Sequence, residues 1–164
     1  RNATVRDDRF VPARMNLATL LSASGRVVEA EGLLRESARI QPTWGQVHYS
    51  LGLLLAEDTK RLPEAIRSLE RAAWHWPENP RVTHNLAIAY WQSNRVEDAV
   101  RSFEQSIRLQ PNNPEFLQRI SELLAQNDRW SEALPYLRRL VLLVPNEPSF
   151  KSFFEEANRQ LGIR

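Results

Sequence analysis

The sequence predicts an all-α protein: a right-handed superhelical solenoid of antiparallel helix pairs, closed by one further helix. Three observations predict it. Four prolines, Pro42, Pro77, Pro111 and Pro145, stand 35, 34 and 34 residues apart. Twelve residues before each lies an alanine: Ala30, Ala65, Ala99 and Ala133. Between these markers apolar residues recur at steps of three, four and seven, the period of an amphipathic helix. A fixed period of this length marks a stack of supersecondary units, each burying its apolar face against the next.

The first half of each unit repeats as Leu17-Ala18, Leu51-Gly52, Leu86-Ala87 and Ile120-Ser121, with Leu21, Leu55, Tyr90 and Leu124 three residues beyond the second of each pair. In the second half an arginine (Arg26, Arg61, Arg95, Arg129) precedes the alanine by four residues, and a large apolar residue (Leu34, Leu69, Phe103, Leu137) follows it by four. Each unit therefore holds two helices. Gly25 and Asn94 supply turn residues between them, and the closing proline stops the second helix. One extra residue falls between Leu55 and Ala65, which predicts a longer turn around Asp58-Thr59-Lys60. The small residues let two helix backbones approach while larger neighbours interlock around them.

This pattern resembles the tetratricopeptide repeat (TPR) family over residues 11–145. The resemblance implies four units, 11–44, 45–79, 80–113 and 114–147. Leu140 departs from the family's preference for a small residue, His75 stands where the other units have Ile40, Leu109 and Leu143, and Pro135 lies early in a second helix. Residues 148–164 are expected to form a capping helix, with Phe150, Phe154, Ala157 and Leu161 on one face; a solenoid needs such a polar-backed end. Residues 1–10 align with the tail of a preceding second helix, an expectation that the chain continues a longer protein.

Composition narrows the function classes. Hydrophobic residues make up 42% and charged residues 26%, which is globular rather than disordered composition. The formal charge is only +2, and arginines are interspersed with acids, so no basic stripe points to nucleic acid. There is no cysteine, which excludes disulfides and thiolate sites. No apolar run approaches the ~20 residues that span a bilayer. His48, His75 and His84 lack metal-ligand spacing, and no phosphate loop or nucleophile motif occurs. No cofactor and no catalytic activity are expected.

In the resembled family the first helices line a concave groove that binds proteins or peptides. The residues implied for that face are Met15 and Asn16 in the first unit, and Tyr49 and Ser50 in the second. The third unit offers Arg81, His84, Asn85, Ile88 and Trp91, and the fourth Arg119. An Asn amide can pair with one peptide unit of an extended ligand, and Arg119 presents a forked donor for a carboxylate. Clamping of a terminal carboxylate is not expected, because Met15, Thr19, Tyr49 and Leu53 occupy clamp positions and Glu115 and Glu122 oppose an anion. Trp91 is the expected anchor, since aromatics dominate binding hot spots. Trp44, Trp74, Trp76 and Trp130 are expected to pack between units, while the Trp74-His75-Trp76 run is open to a second reading as an exposed patch. The expected partner is a protein or peptide, with a second copy of this chain as the alternative. A weaker resemblance links Phe10–Ala18 and Val47–Leu54 to TPR regions appended to bacterial multihaem c-type cytochromes. It implies a periplasmic parent, although no haem-binding motif occurs here; without it the compartment, cytoplasmic or periplasmic, stays unassigned.

Overall fold

The computed structural model describes residues 10–163. Nine α-helices and one short 3-10 turn run in chain order, with no strand among the described residues. They are α1 (Phe10–Ala23), α2 (Val27–Ile40), α3 (Gly45–Ala56), α4 (Leu62–His75), α5 (Pro80–Gln92), α6 (Val96–Leu109), α7 (Pro114–Gln126), α8 (Trp130–Leu143) and α9 (Pro148–Gln160). Apart from Phe10, which opens α1, the residues expected to form a preceding helix tail lie outside the described ones.

Local chemistry sets the helix boundaries. α5 and α7 open on Asn-Pro: the Asn79 and Asn113 side chains accept from the backbone N–H of Arg81 and Glu115, and the proline has no N–H to leave unpaired. Glu147 accepts from the Ser149 N–H in the same way at α9. The second helices α2, α6 and α8 follow turns made by Gly25, Asn94 and Asp128, all at positive φ (80°, 58° and 57°). The second unit has no such residue. Its extra residue instead forms the 3-10 turn Thr59–Arg61, capped by the Asp58 carboxylate on the Lys60 N–H.

The repeated arginines acquire a reason here. Arg26, Arg61, Arg95 and Arg129 each sit at the N-cap of a second helix and pair with an acid three residues on: Glu29, Glu64, Asp98 and Glu132. Two of them also reach back to the previous second helix, Arg61 to Glu31 at 2.6 Å and Arg129 to Glu97 at 2.8 Å. An arginine cannot cap the helix as an acceptor, but held in place it ties consecutive units together.

Each first helix packs on its own second helix, and each second helix on the next first helix. Ala30, Ala65, Ala99 and Ala133 are completely buried, as are Ala87 and Ser121. Close approach is equally tight at Gly45, where a Cβ would lie 2.6 Å from the Trp76 Cβ, and at Gly52, where it would lie 2.6 Å from the Leu69 Cγ. The partner of Gly52 is thus a leucine rather than the unit's alanine. Leu17 is 47% exposed although Leu51, Leu86 and Ile120 are buried, because no described helix covers its face of α1. At the far end, α9 lays Ala157, Phe150, Phe153 and Phe154 on the core. Phe153, which the helical pattern did not select, meets Trp130 edge-on at 6.3 Å, whereas Leu161 lies past the helix and is exposed. α8 runs through Pro135 without a break, and Leu140 is fully buried.

Candidate functional site: the first-helix face

Among alternate helices the backbones come close between first helices, α1 with α3 and α3 with α5, whereas α2 meets α4 through long side chains. The first helices therefore form the inner side of the stack. A hydrogen bond crosses this face, the Asn85 Nδ2 donating to the Tyr49 Oη at 2.7 Å. Burial pushes the Tyr49 phenol pKa up, partly offset by that bond from Asn85. Tyr49 is further held by the Trp76 ring, edge-on at 6.3 Å.

Beside this pair, Ile88, Trp91, Gln92 and Arg119 converge on an open cleft of about 380 Å³. Trp91 is half-buried, its ring braced edge-on against the fully buried Phe103 at 6.3 Å. Ile88 and Trp91 supply an apolar wall one helical turn apart. Arg119 supplies charge from α7, anchored to Glu122 at 2.9 Å. The cleft can take an apolar side chain against Trp91 while the guanidinium meets a carbonyl or carboxylate. Arg81 is exposed at the rim, 4.0 Å from Glu115. Asn16 is exposed on α1, and Ser50 is partly buried on α3.

Two expected groove residues do not reach the surface. Met15 is 7% exposed and belongs to the core of the first two units. His84 is 1% exposed, stacked on Phe116 at 4.4 Å and edge-on to Phe103 at 5.3 Å. In both cases the helix face turns toward the neighbouring unit rather than the groove. Neither His84 ring nitrogen has a hydrogen-bond partner, and the Glu115 carboxylate stands 3.6 Å from Nε2, too far for one. Burial lowers the His84 pKa to about 4, against the opposing pull of Glu115, so the ring is neutral at pH 7.

The tryptophans divide. Trp44 and Trp130 are partly buried against neighbouring units, and Trp76 is partly buried against Tyr49 of its own unit. Trp74 is 82% exposed and packs between nothing, a correction to its expected role. The residue pattern also gave no prominence to a second, larger concavity on the opposite side of the stack, between α2 and α4. Its signal in the sequence is two arginine pairs four residues apart, Arg35 with Arg39 and Arg67 with Arg71.

No helix among the described residues is long and apolar enough to cross a membrane. A tetratricopeptide repeat model matches residues 84–148, and a second tetratricopeptide repeat model matches 11–36, covering more than half of the chain between them. No curated protein matches the sequence. Among solved structures, MamA of AMB-1 is 22% identical, with a TM-score of 0.79 over 95% of this chain and 85% of that one. A second MamA structure is 13% identical, with a TM-score of 0.84 over 94% and 84%. The pilF protein of Pseudomonas aeruginosa is 19% identical, with a TM-score of 0.75 over 93% and 69%. Identities this low establish the fold alone. With the repeat models, the alternating helix pairs and the buried small residues in agreement, the chain belongs to the tetratricopeptide repeat family, a scaffold for protein–protein interaction.

Proposed function

We propose that the first-helix face binds an extended segment of a partner protein, with Trp91 as anchor. The observation that carries this reading is the convergence of Ile88, Trp91, Gln92 and Arg119 on one cleft beside the Tyr49–Asn85 pair. Asn85 spends one amide N–H on Tyr49, which fixes its orientation and leaves its Oδ1 for a ligand backbone N–H. Asn16, Ser50, Arg81 and Arg119 extend the polar contacts along the stack, and Met15 and His84 act beneath the surface as packing.

The test is affinity of a partner isolated by pull-down for three folded variants. Asn85→Ala weakens binding by about 0.5–1.5 kcal/mol. Trp91→Ala weakens it by about 2 kcal/mol or more. Trp74→Ala, on the opposite side, leaves it unchanged. Normal binding by both groove variants removes the proposal.

A second reading is self-association, favoured by the 82% exposure of Trp74. Sedimentation across a concentration series distinguishes the two: a dimer lost in Trp74→Gln and kept in Trp91→Ala supports it. The cytochrome likeness rests on Phe10–Ala18 and Val47–Leu54 alone. The parent gene tests it through the presence or absence of Cys-x-x-Cys-His motifs.

A further inference from the structure

The larger concavity lies on the side away from the groove. It measures about 900 Å³ and is walled by α2 and α4, with α3 as its floor. Four guanidinium groups, Arg35, Arg39, Arg67 and Arg71, face a single carboxylate, Glu64. This one cleft therefore carries more net charge than the formal +2 of the whole chain. Arg35 is committed: it bonds Glu31 at 2.7 Å and crosses to Glu64 at 2.6 Å, which fixes the two walls relative to each other. Arg39, Arg67 and Arg71 have no ion-pair partner among the described residues, unlike the N-cap arginines of the second helices.

Between the walls the surface mixes apolar groups with the Ser68 hydroxyl and two imidazoles. Leu51 and Leu55 form the floor, at 5% and 2% exposure, with Ala38 and Pro42 beside them. His48 is buried and bonded through Nε2 to the Pro42 carbonyl at 2.7 Å. His75, the residue that replaces an apolar one in the repeat, stacks on His48 at 6.1 Å and lines the same cleft.

We infer that this α2–α4 cleft is a second binding site, which takes an extended acidic segment of a protein with apolar residues alternating between its carboxylates. The spacing supports it. Arg67 and Arg71 are one turn apart, about 6 Å along α4. Side chains two apart on an extended chain are separated by about 7 Å and share a face. Two carboxylates can thus meet the two α4 arginines while the residue between them faces Ala38, Pro42 and the leucine floor. A volume of about 900 Å³ holds several side chains, more than one small anion fills. Single-stranded nucleic acid wants a row of aromatic platforms along a basic track; here the rings are His48, buried and bonded to the Pro42 carbonyl, and His75 stacked on it, and the rest of the surface between the cations is mainly aliphatic. The site is separate from the first-helix groove and does not depend on it.

The experiment uses the whole chain and a fluorescein-labelled peptide alternating glutamate and leucine, read by fluorescence anisotropy at low salt. Saturable binding is expected, weakening as salt is raised. The Arg67→Gln/Arg71→Gln double variant weakens it at least about tenfold, equivalent to about 1.4 kcal/mol. Arg39→Gln weakens it less. An Arg108→Gln/Arg138→Gln protein, with the same charge removed from exposed positions on α6 and α8, binds as the parent does. NMR signals of the His48 and His75 rings shift on addition of the peptide, which locates it without reliance on any variant. Circular dichroism melts confirm that each variant is folded. The inference is overturned if the glutamine–leucine peptide binds equally well, or if the control variant loses as much affinity as Arg67→Gln/Arg71→Gln. It is also overturned if an oligodeoxynucleotide of matched charge binds more tightly through the same arginines, or if no saturation appears up to about 1 mM, the weak limit of useful affinity.

Discussion

Glu31 is where two units are tied together by charge, and replacing it isolates that tie. Its carboxylate accepts from Arg61 at 2.6 and 2.8 Å and from Arg35 at 2.7 Å. Arg61 opens the second helix of the next unit, so these bonds span the joint between units. The hydrogen bonds from Arg61, then those from Arg35, lower the Glu31 pKa from 4.5 to about 2, against a desolvation that opposes them. A difference that large sets a ceiling of about 3 kcal/mol. The arginine side chains are 32% and 48% exposed, so solvent screens the pair and Glu31→Gln is expected to cost about 1–2 kcal/mol at pH 7. For a chain of this length that lowers Tm by about 3–6 °C. Because the folded pKa is depressed, the contribution is complete above about 4.5 and disappears as pH falls toward about 2. Urea denaturation of parent and Glu31→Gln across that range should show two curves that converge in acid. A double-mutant cycle with Arg61→Gln should give a coupling of about 1 kcal/mol. A gap below about 0.3 kcal/mol at pH 7, within the scatter of such cycles, or a gap that does not close in acid, refutes the argument.

His84 gives a second pH dependence, higher on the scale. Its folded pKa of about 4 lies below the ordinary 6.5, so its neutral form stabilises fully above 6.5 and stability falls as pH drops toward 4. Urea midpoints between these limits should show a loss reaching about 2 kcal/mol near pH 5, and His84→Phe should flatten that part of the curve. Two glycines should respond with opposite signs in thermal melts. Gly32→Ala on exposed α2, with nothing within 4 Å of the new Cβ, gains about 0.5–1 kcal/mol. Gly52→Ala drives its Cβ to 2.6 Å from the fully buried Leu69 and loses about 1–2 kcal/mol net of the helix gain. Removing residues 148–164 uncovers the apolar end of α8 and should make amides of α7 and α8 exchange faster than those of α3 and α4, with loss of solubility on sedimentation.

The linear pattern was enough for the architecture, because a helix pair repeated at fixed period must bury the same positions in every unit. Ala30, Ala65, Ala99 and Ala133 share one environment for that reason, and the inserted residue before Ala65 could only fall in a turn. The surface is a different matter. His84 looked like a groove residue by its place on the helix, but the rotation of α5 about its own axis puts it between Phe103 and Phe116. Rotation is set by how side chains of two units interlock, which no single helix encodes. Ile88, Trp91 and Arg119 were each visible as candidates, yet their meeting in one cleft depends on the angle between α5 and α7. The outer cleft carries the point furthest. Arg39, Arg67, Arg71, His48 and His75 come from three helices, and although each of the three arginines recurs once at its equivalent position in another unit (Arg108, Arg101, Arg139), no other unit repeats the whole set. Periodicity reports what units share; a site made of what they do not share exists only once the units are stacked.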